Sequence, residues 1–298
     1  MRTVEAIGRL DEVVNNVSTE AKFVPLSGTR AQLGESPVWS VFYQAVWWVD
    51  ITGRRLFQTK LTGETQEWET PEMPGFVQVI GEDVFVGMQT GIFRFDPVAE
   101  QFEKRVALLA PNQRFNDACC DTHGRIWAGT MDIENQRANG TLYLFDPAHR
   151  TLLSKFEGFR TINGLAWDNP NARLFFSDSH PEVQTVWTCD VTKSGRMSER
   201  VPFARFHDLN GRPDGAALDR DGNYWIAGVG GGAIYRFTPN GAAVTQFNVP
   251  VQSPTKPAIV DTSDHPMVLT SFDDGGTGGR LVIWPDAPAR PIQESNIL

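Results

Sequence analysis

The seven-residue pattern Asp-x-x-Gly-x-x-Trp occurs twice in this chain, in DTHGRIWAG (121–129) and in DRDGNYWIAG (219–228). Each copy reads as a β-turn running into an aromatic strand. A recurring unit constrains a fold more tightly than any single motif, because each copy must bury its apolar face on its neighbours. Six short, mostly apolar segments align with this pair: GESPVWS (34–40), GFVQVIG (75–81), FNDACCD (115–121), INGLAWD (162–168), PDGAALD (213–219) and TKPAIVD (255–261). A second strand-like run follows each, such as VWWVDI (46–51) or NYWIAGV (223–229). A third follows in turn, such as GIFRFDP or GTLYLFDP, and most units close with a more polar fourth, such as TQEWETP or QFEKRVAL.

Four strands per unit and six units at roughly 45-residue spacing predict an all-β fold, a six-bladed β-propeller with four-stranded blades. An open first or last blade would expose sheet edges, so KFVPLS (22–27) is expected to supply the outer strand of the last blade. Residues 16–298 are then a single propeller domain, and residues 1–15 a flexible N-terminal extension. Any helical periodicity is confined to the first twenty residues.

Composition limits the partners. With 36 acidic and 27 basic residues the net charge is −9, and no Lys/Arg block offers a nucleic-acid footprint. There is neither a secretory h-region nor a stretch of about 18 apolar residues that would span a membrane. A soluble, cytoplasmic protein is the expectation. Three cysteines, two of them adjacent (Cys119, Cys120, Cys189), cannot form a disulfide framework and are expected to be small buried residues in a reducing compartment. No signature of oligomeric state is present.

The first strand of each blade lines the central channel of a propeller. The second position of the six segments reads Glu35, Phe76, Asn116, Asn163, Asp214 and Lys256. A carboxylate entering a buried strand, as Glu35 does, is costly unless something pairs with it. Two carboxylates and two amide oxygens converging on one channel are hard oxygen ligands suited to a divalent cation. Taken singly, the Asn and Asp residues also suit Asx-turns, and Lys256 suits either an ion pair or a substrate oxygen.

Other motifs carry less. GVGGGA (228–233) matches a dinucleotide fingerprint but leads into a strand where a helix is required; its glycines fit a tight strand connection. SFDDGGTGG (271–279) lacks the closing Glu of an EF-hand loop. The five histidines show no zinc-site spacing, although His180 and His207 fall in loops expected near the channel mouth. Trp39, Trp47, Trp127, Trp167, Trp187 and Trp225 recur at strand positions and read as blade core. No GxSxG elbow is present.

GESPVW, RFNDACCDTHGRIWAGTMDIE, TINGLAWD and RPDGAALDRDGNYWIA, in this order, resemble the segments that define the senescence marker protein/regucalcin/gluconolactonase family of six-bladed propellers. The resemblance runs from about Leu33 to about Thr270. It implies one divalent metal ion (calcium, magnesium, manganese, zinc or iron) held by Glu35, Asn163 and Asp214. It also implies substrate-binding roles for Arg114, Asn116 and Glu134, and hydrolysis of a sugar lactone, an aldonolactone as in gluconolactonases, to the aldonic acid. On that reading the metal activates water and Asp214 is the general base. A non-enzymatic calcium-binding propeller and an arylesterase-like hydrolase on the same scaffold are the alternatives. The sequence departs from the family pattern at Ala118, where a Gly is usual, and residues 1–20 match nothing in it.

Overall fold

The computed structural model describes residues 18–292, and among these every regular helix-or-strand element is a strand. The strands form six sheets. Blade one is Gly34–Ser40, Ala45–Asp50, Arg55–Lys60 and Thr65–Glu69; blade two is Phe76–Ile80, Asp83–Gly87, Gly91–Asp96 and Gln101–Ala107. Blade three is Gln113–Cys120, Ile126–Asp132, Gly140–Asp146 and Thr151–Phe159; blade four is Ile162–Asp168, Arg173–Asp178, Thr185–Asp190 and Val201–Arg205. Blade five is Arg212–Leu218, Tyr224–Val229, Ala233–Phe237 and Val244–Asn248; blade six is Pro254–Ile259, Met267–Ser271 and Val282–Trp284. The innermost strand of each blade packs on that of the next, blade six returning to blade one, so the sheets form a closed ring.

Closure follows the expected route, with one addition. Val24–Pro25 pairs antiparallel with Val282 and Ile283 and completes blade six. Just upstream, Ser18–Glu20 adds a parallel fifth strand to the edge of blade five, opposite Gln246–Asn248. Residues 18–25 therefore straddle the seam between the last two blades. The expectation of an extension over residues 1–15 lies outside the described residues.

The repeat motif has a physical basis. Asp121 is buried at the turn between two strands: its Oδ1 accepts the backbone N–H of His123 and Arg125, and its Oδ2 accepts the indole N–H of Trp127 at 3.1 Å. Asp219 does the same for Asn223 N–H and for the Trp225 indole at 2.9 Å. The carboxylate satisfies backbone donors that the turn leaves over and at the same time fixes the tryptophan. Trp47, Trp127 and Trp225 are fully buried and Trp39 nearly so, as blade core requires; Trp167 and Trp187 are half-buried.

Second strands such as Ala45–Asp50 and Tyr224–Val229 are buried at every position, because both of their faces lie between blades. The outermost strands, such as Gln101–Ala107, are mostly exposed and carry charge, which blunts the free edge. Six apolar clusters fill the ring, one at each seam. At the seam between blades four and five, for instance, Phe175 stacks on Tyr224 at 4.8 Å.

Five of the six inner strands carry a β-bulge, an extra residue in the ladder: between Glu35 and Val38, Phe115 and Ala118, Asn163 and Ala166, Pro213 and Ala216, and Pro254 and Pro257. Blade two pairs regularly, and Phe76 is fully buried. Counted from the bulge, the six second positions do not share one register. Glu35 and Asn163 precede the bulge, whereas Asn116 and Asp214 are its first residues. In blade six that place belongs to Thr255, and Lys256 matches Asp117 and Gly215 instead. A bulge shifts alternation by one residue, so spacing alone misplaces Lys256.

Lys256 lies in the channel and ties it together. Its Nζ contacts Asp117 Oδ1 at 2.5 Å and donates to the Ala118 carbonyl at 3.0 Å. Asp117 also accepts the N–H of Ala118 and, through Oδ2, of Leu165 in blade four at 2.8 Å. Gly215 leaves room for the lysine stem: a Cβ there would fall 2.4 Å from Lys256 Cβ. The pair thus joins blades three, four and six in the interior, where Lys256 is 5% and Asp117 1% exposed.

Removing one partner strands a buried charge. Lys256→Met alone should cost about 3–5 kcal/mol, and Asp117→Asn combined with Lys256→Met should cost less than Lys256→Met alone. Chemical denaturation of the two variants measures this; equal or greater loss in the double variant contradicts the pairing.

Candidate active site

A cavity of about 150 Å³ opens at the end of the channel where the inner strands begin. Glu35, Arg114, Asn116, Asn163 and Asp214 all line it, each from the start of its inner strand. The structure therefore gathers the three expected metal ligands and two of the three expected substrate-binding residues. Glu134 is exposed and is not among the lining side chains, although the neighbouring Asn135 is. Half-buried His180 and exposed His207 do not line the cavity either.

A chain of amide and hydroxyl contacts fixes one wall. Arg114 Nη1 donates to Asn116 Oδ1 and to the Phe115 carbonyl, both at 2.9 Å. Asn116 Nδ2 donates to Asn163 Oδ1 at 2.9 Å and to the Ile162 carbonyl at 3.0 Å. Asn163 Nδ2 donates to Ser179 Oγ at 2.7 Å, and Ser179 Oγ donates to the Pro213 carbonyl. Four side chains from blades three and four are thereby held in one orientation, and the last of them reaches the residue before Asp214.

The two carboxylates are less well provided for. Glu35, 6% exposed, accepts one N–H, from Ser36 at 2.6 Å. Asp214, also 6% exposed, is supported by the backbone N–H of Gly215. Among the described residues neither has a cationic hydrogen-bond partner, since Lys256 is engaged by Asp117. Burial raises the Glu35 carboxyl well above its ordinary value, with Asp214 and Asp117 adding to the rise against Lys256 and the Ser36 amide. Burial, then the Asp117 charge, pushes Asp214 up to about 8, against Arg212, Lys256 and the Gly215 amide. Burial pulls the Arg114 guanidinium down to about 10, opposed by Glu35 and Asp214.

Two buried carboxylates raised together require a proton or a cation to neutralise them. With the Asn163 amide oxygen beside them, they make an all-oxygen donor set that fits a hard divalent ion.

Sequence reasoning missed Ser179, which has no motif of its own, and left Asp117 and Arg212 without a role although both lie in quoted motifs. Arg212 lines the cavity next to Asp214. The glycines of GVGGGA serve packing: a Cβ on Gly231 would fall 2.2 Å from the Asn210 carbonyl oxygen, so the turn lies tight against the loop that leads into Arg212.

Cys119 and Cys189 carry free thiols, and burial raises the Cys119 thiol well above its ordinary value and the Cys189 thiol to about 12. Among the described residues no helix is long and apolar enough to cross a membrane.

An acid whose pKa is raised by folding stabilises the fold while protonated and loses that contribution as pH rises towards the folded pKa. Chelator-treated protein should therefore lose thermal stability as pH rises from the ordinary Asp value of 3.8 to the Asp214 value of about 8. A divalent ion should restore it, and Asp214→Asn should flatten the dependence. Melting curves at stepped pH measure this; an unchanged slope in the variant contradicts the assignment.

The family model described as SMP-30/Gluconolactonase/LRE-like region matches residues 33–273. The chain is 31% identical to a 6-deoxy-6-sulfogluconolactonase of Pseudomonas putida over 258 residues, 85% of this chain and 88% of the relative. It is also 31% identical to an L-arabinolactonase of Azospirillum brasilense, covering 78% of this chain and 79% of the relative. In structure it is similar to a calcium-binding regucalcin of Agrobacterium tumefaciens, with a TM-score of 0.83 at 21% identity over 92% of this chain and 98% of the other.

Proposed function

Because the chain belongs to the SMP-30/gluconolactonase/LRE-like family, we propose that it is a metal-dependent sugar lactonase that opens an aldonolactone to the aldonic acid. The observation that carries this reading is the meeting of buried Glu35, Asn163 and Asp214 with the guanidinium of Arg114 in one cavity. Two relatives named as lactonases support the reaction class, and the similarity to a protein described as calcium-binding supports a divalent cation. The free thiols of Cys119 and Cys189 accord with a cytoplasmic setting.

Glu35, Asn163 and Asp214 would hold the ion. When bound, a divalent cation supplies electrophilic assistance to an ester carbonyl and acidifies water. The remaining chemistry falls to the chain. Asp214 accepts a proton from the attacking water as the water oxygen bonds to the lactone carbonyl carbon. Arg114 faces the negative charge that develops on the carbonyl oxygen. The ring C–O bond then breaks, and the departing alkoxide takes the proton back from Asp214, leaving a carboxylic acid that ionises in solution. Asn116, fixed between Arg114 and Asn163, is placed to hydrogen-bond a sugar hydroxyl.

A purely calcium-binding propeller would have no use for a guanidinium fork and an oriented amide at the cavity wall, which favours the enzyme.

Proton release over a panel of aldonolactones, with and without chelator, tests the proposal. Chelator-sensitive hydrolysis is expected; none with any member contradicts it. Asp214→Asn should lower kcat by about 10²–10⁴-fold, whereas Glu35→Gln should first weaken metal binding, read as a higher cation concentration for half-activity. Wild-type turnover in Asp214→Asn removes it as the base.

A further inference from the structure

Arg212 differs from the other cationic groups of the cavity in its hydrogen bonding, although its charge acts on the neighbouring Asp214. Arg114 is committed through Nη1 to two oxygens, and Lys256 is consumed by Asp117. Half-buried Arg212 lines the same cavity, yet among the described residues its guanidinium makes no hydrogen bond and no ion pair within 4 Å. A fork of five N–H donors left unpaired at a cavity wall is poised to bind a planar or tetrahedral oxyanion.

Its position is nevertheless well defined. The Arg212 backbone pairs with Val229. The preceding loop is pinned where Tyr235 Oη donates to the Asn210 carbonyl at 2.9 Å, and the same carbonyl lies too close to Gly228 and Gly231 for either to carry a side chain. The arginine is thus fixed at its base and unpartnered at its tip.

Charge bookkeeping supports the same conclusion. On the proposed reading Glu35 and Asp214 would together balance one divalent cation, and Asp117 and Lys256 balance each other. Two guanidinium charges, those of Arg114 and Arg212, remain. Lactone hydrolysis generates one negative charge at the reacting carbonyl, which answers Arg114. The second calls for an anionic group that the substrate already carries.

We infer that Arg212 is a specificity-determining residue that pairs with an acidic substituent, a carboxylate, sulfonate or phosphate, on the sugar lactone, so that the preferred substrate is an anionic lactone. This rests on the lactonase reading for the ring-opening step, but the anion site itself is a matter of binding.

The test compares two lactones that differ only at C6, D-glucono-1,4-lactone, which is neutral there, and D-glucaro-1,4-lactone, which carries a carboxylate, with saturating Ca²⁺, Mn²⁺ or Zn²⁺. Arg212→Gln should lower the ratio of kcat/KM for the anionic over the neutral lactone by at least about tenfold, mainly through KM. Arg212→Lys, which keeps the charge and loses the fork, should fall between. Calorimetry with the ring-opened compounds provides a readout independent of turnover: Arg212→Gln should weaken D-glucarate relative to D-gluconate by a similar factor. Ratios unchanged within about twofold in both assays overturn the inference. Hydrolysis of both lactones without dependence on Arg212 leaves the lactonase and removes the anion site. Arg212-dependent glucarate binding without hydrolysis of either lactone does the reverse.

Discussion

One extra residue in each of five inner strands sets the geometry of the channel. Without these bulges, side chains on an inner strand would alternate strictly between its two faces, and neighbours such as Asn116 and Asp117 could not both contribute to the channel. The bulge breaks the alternation. In blade three it lets Asn116 join the cavity wall while Asp117, the next residue, reaches Lys256 and the amide of Leu165. In blade five it lets Asp214 enter the cavity while Gly215 makes room for the lysine stem. Blade two, which has no bulge, contributes an aromatic ring and no ligand.

Two polar layers result, with different consequences. The inner one, Asp117 with Lys256, is internally balanced and joins three blades, so it serves the fold. The outer one, Glu35 with Asp214, is not balanced, and the cost of burying two carboxylates remains until a proton or a cation meets it. Closure of the ring sustains that imbalance. Seams held by buried aromatics and by side-chain bonds such as Ser36 to Val77 and Thr255 to Gly34 keep the carboxylates from separating. A destabilised, preorganised pair on a rigid scaffold is the arrangement expected of a site that binds and polarises rather than one that only packs.

Much of this was legible in the sequence. The Asp-x-x-Gly-x-x-Trp turns, the mostly apolar second strands and the polar fourth strands specify four-stranded blades through residue type alone, and KFVPLS contains the strand that closes blade six. Glu35, Asn116, Asn163 and Asp214 stand out because a charged or amide residue at the head of an apolar run is costly without a purpose, and the family resemblance narrows the expected metal ligands to Glu35, Asn163 and Asp214. Register was less legible. A bulge adds a residue without any compositional mark, so spacing aligns Lys256 with Asp214 although its counterpart is Asp117. Ser179 enters the cavity from just beyond a neighbouring strand, which local spacing does not reveal, and Arg212 heads the same strand as Asp214 but lies outside the aligned second positions. Glu134, by contrast, follows the cavity-lining strand in sequence but is exposed on the loop beyond it.

The central claim is that Glu35 and Asp214 form a carboxylate pair whose proton is exchanged for a divalent ion. Titration calorimetry of the chelator-treated protein with Ca²⁺, Mn²⁺ and Zn²⁺ at pH 7, repeated in buffers of different ionisation enthalpy, counts the protons released on binding. The account predicts saturable binding of at least one of these ions at one site, with about one proton or more released per ion and fewer in Asp214→Asn. No binding, or binding without proton release in the wild-type protein, would contradict it.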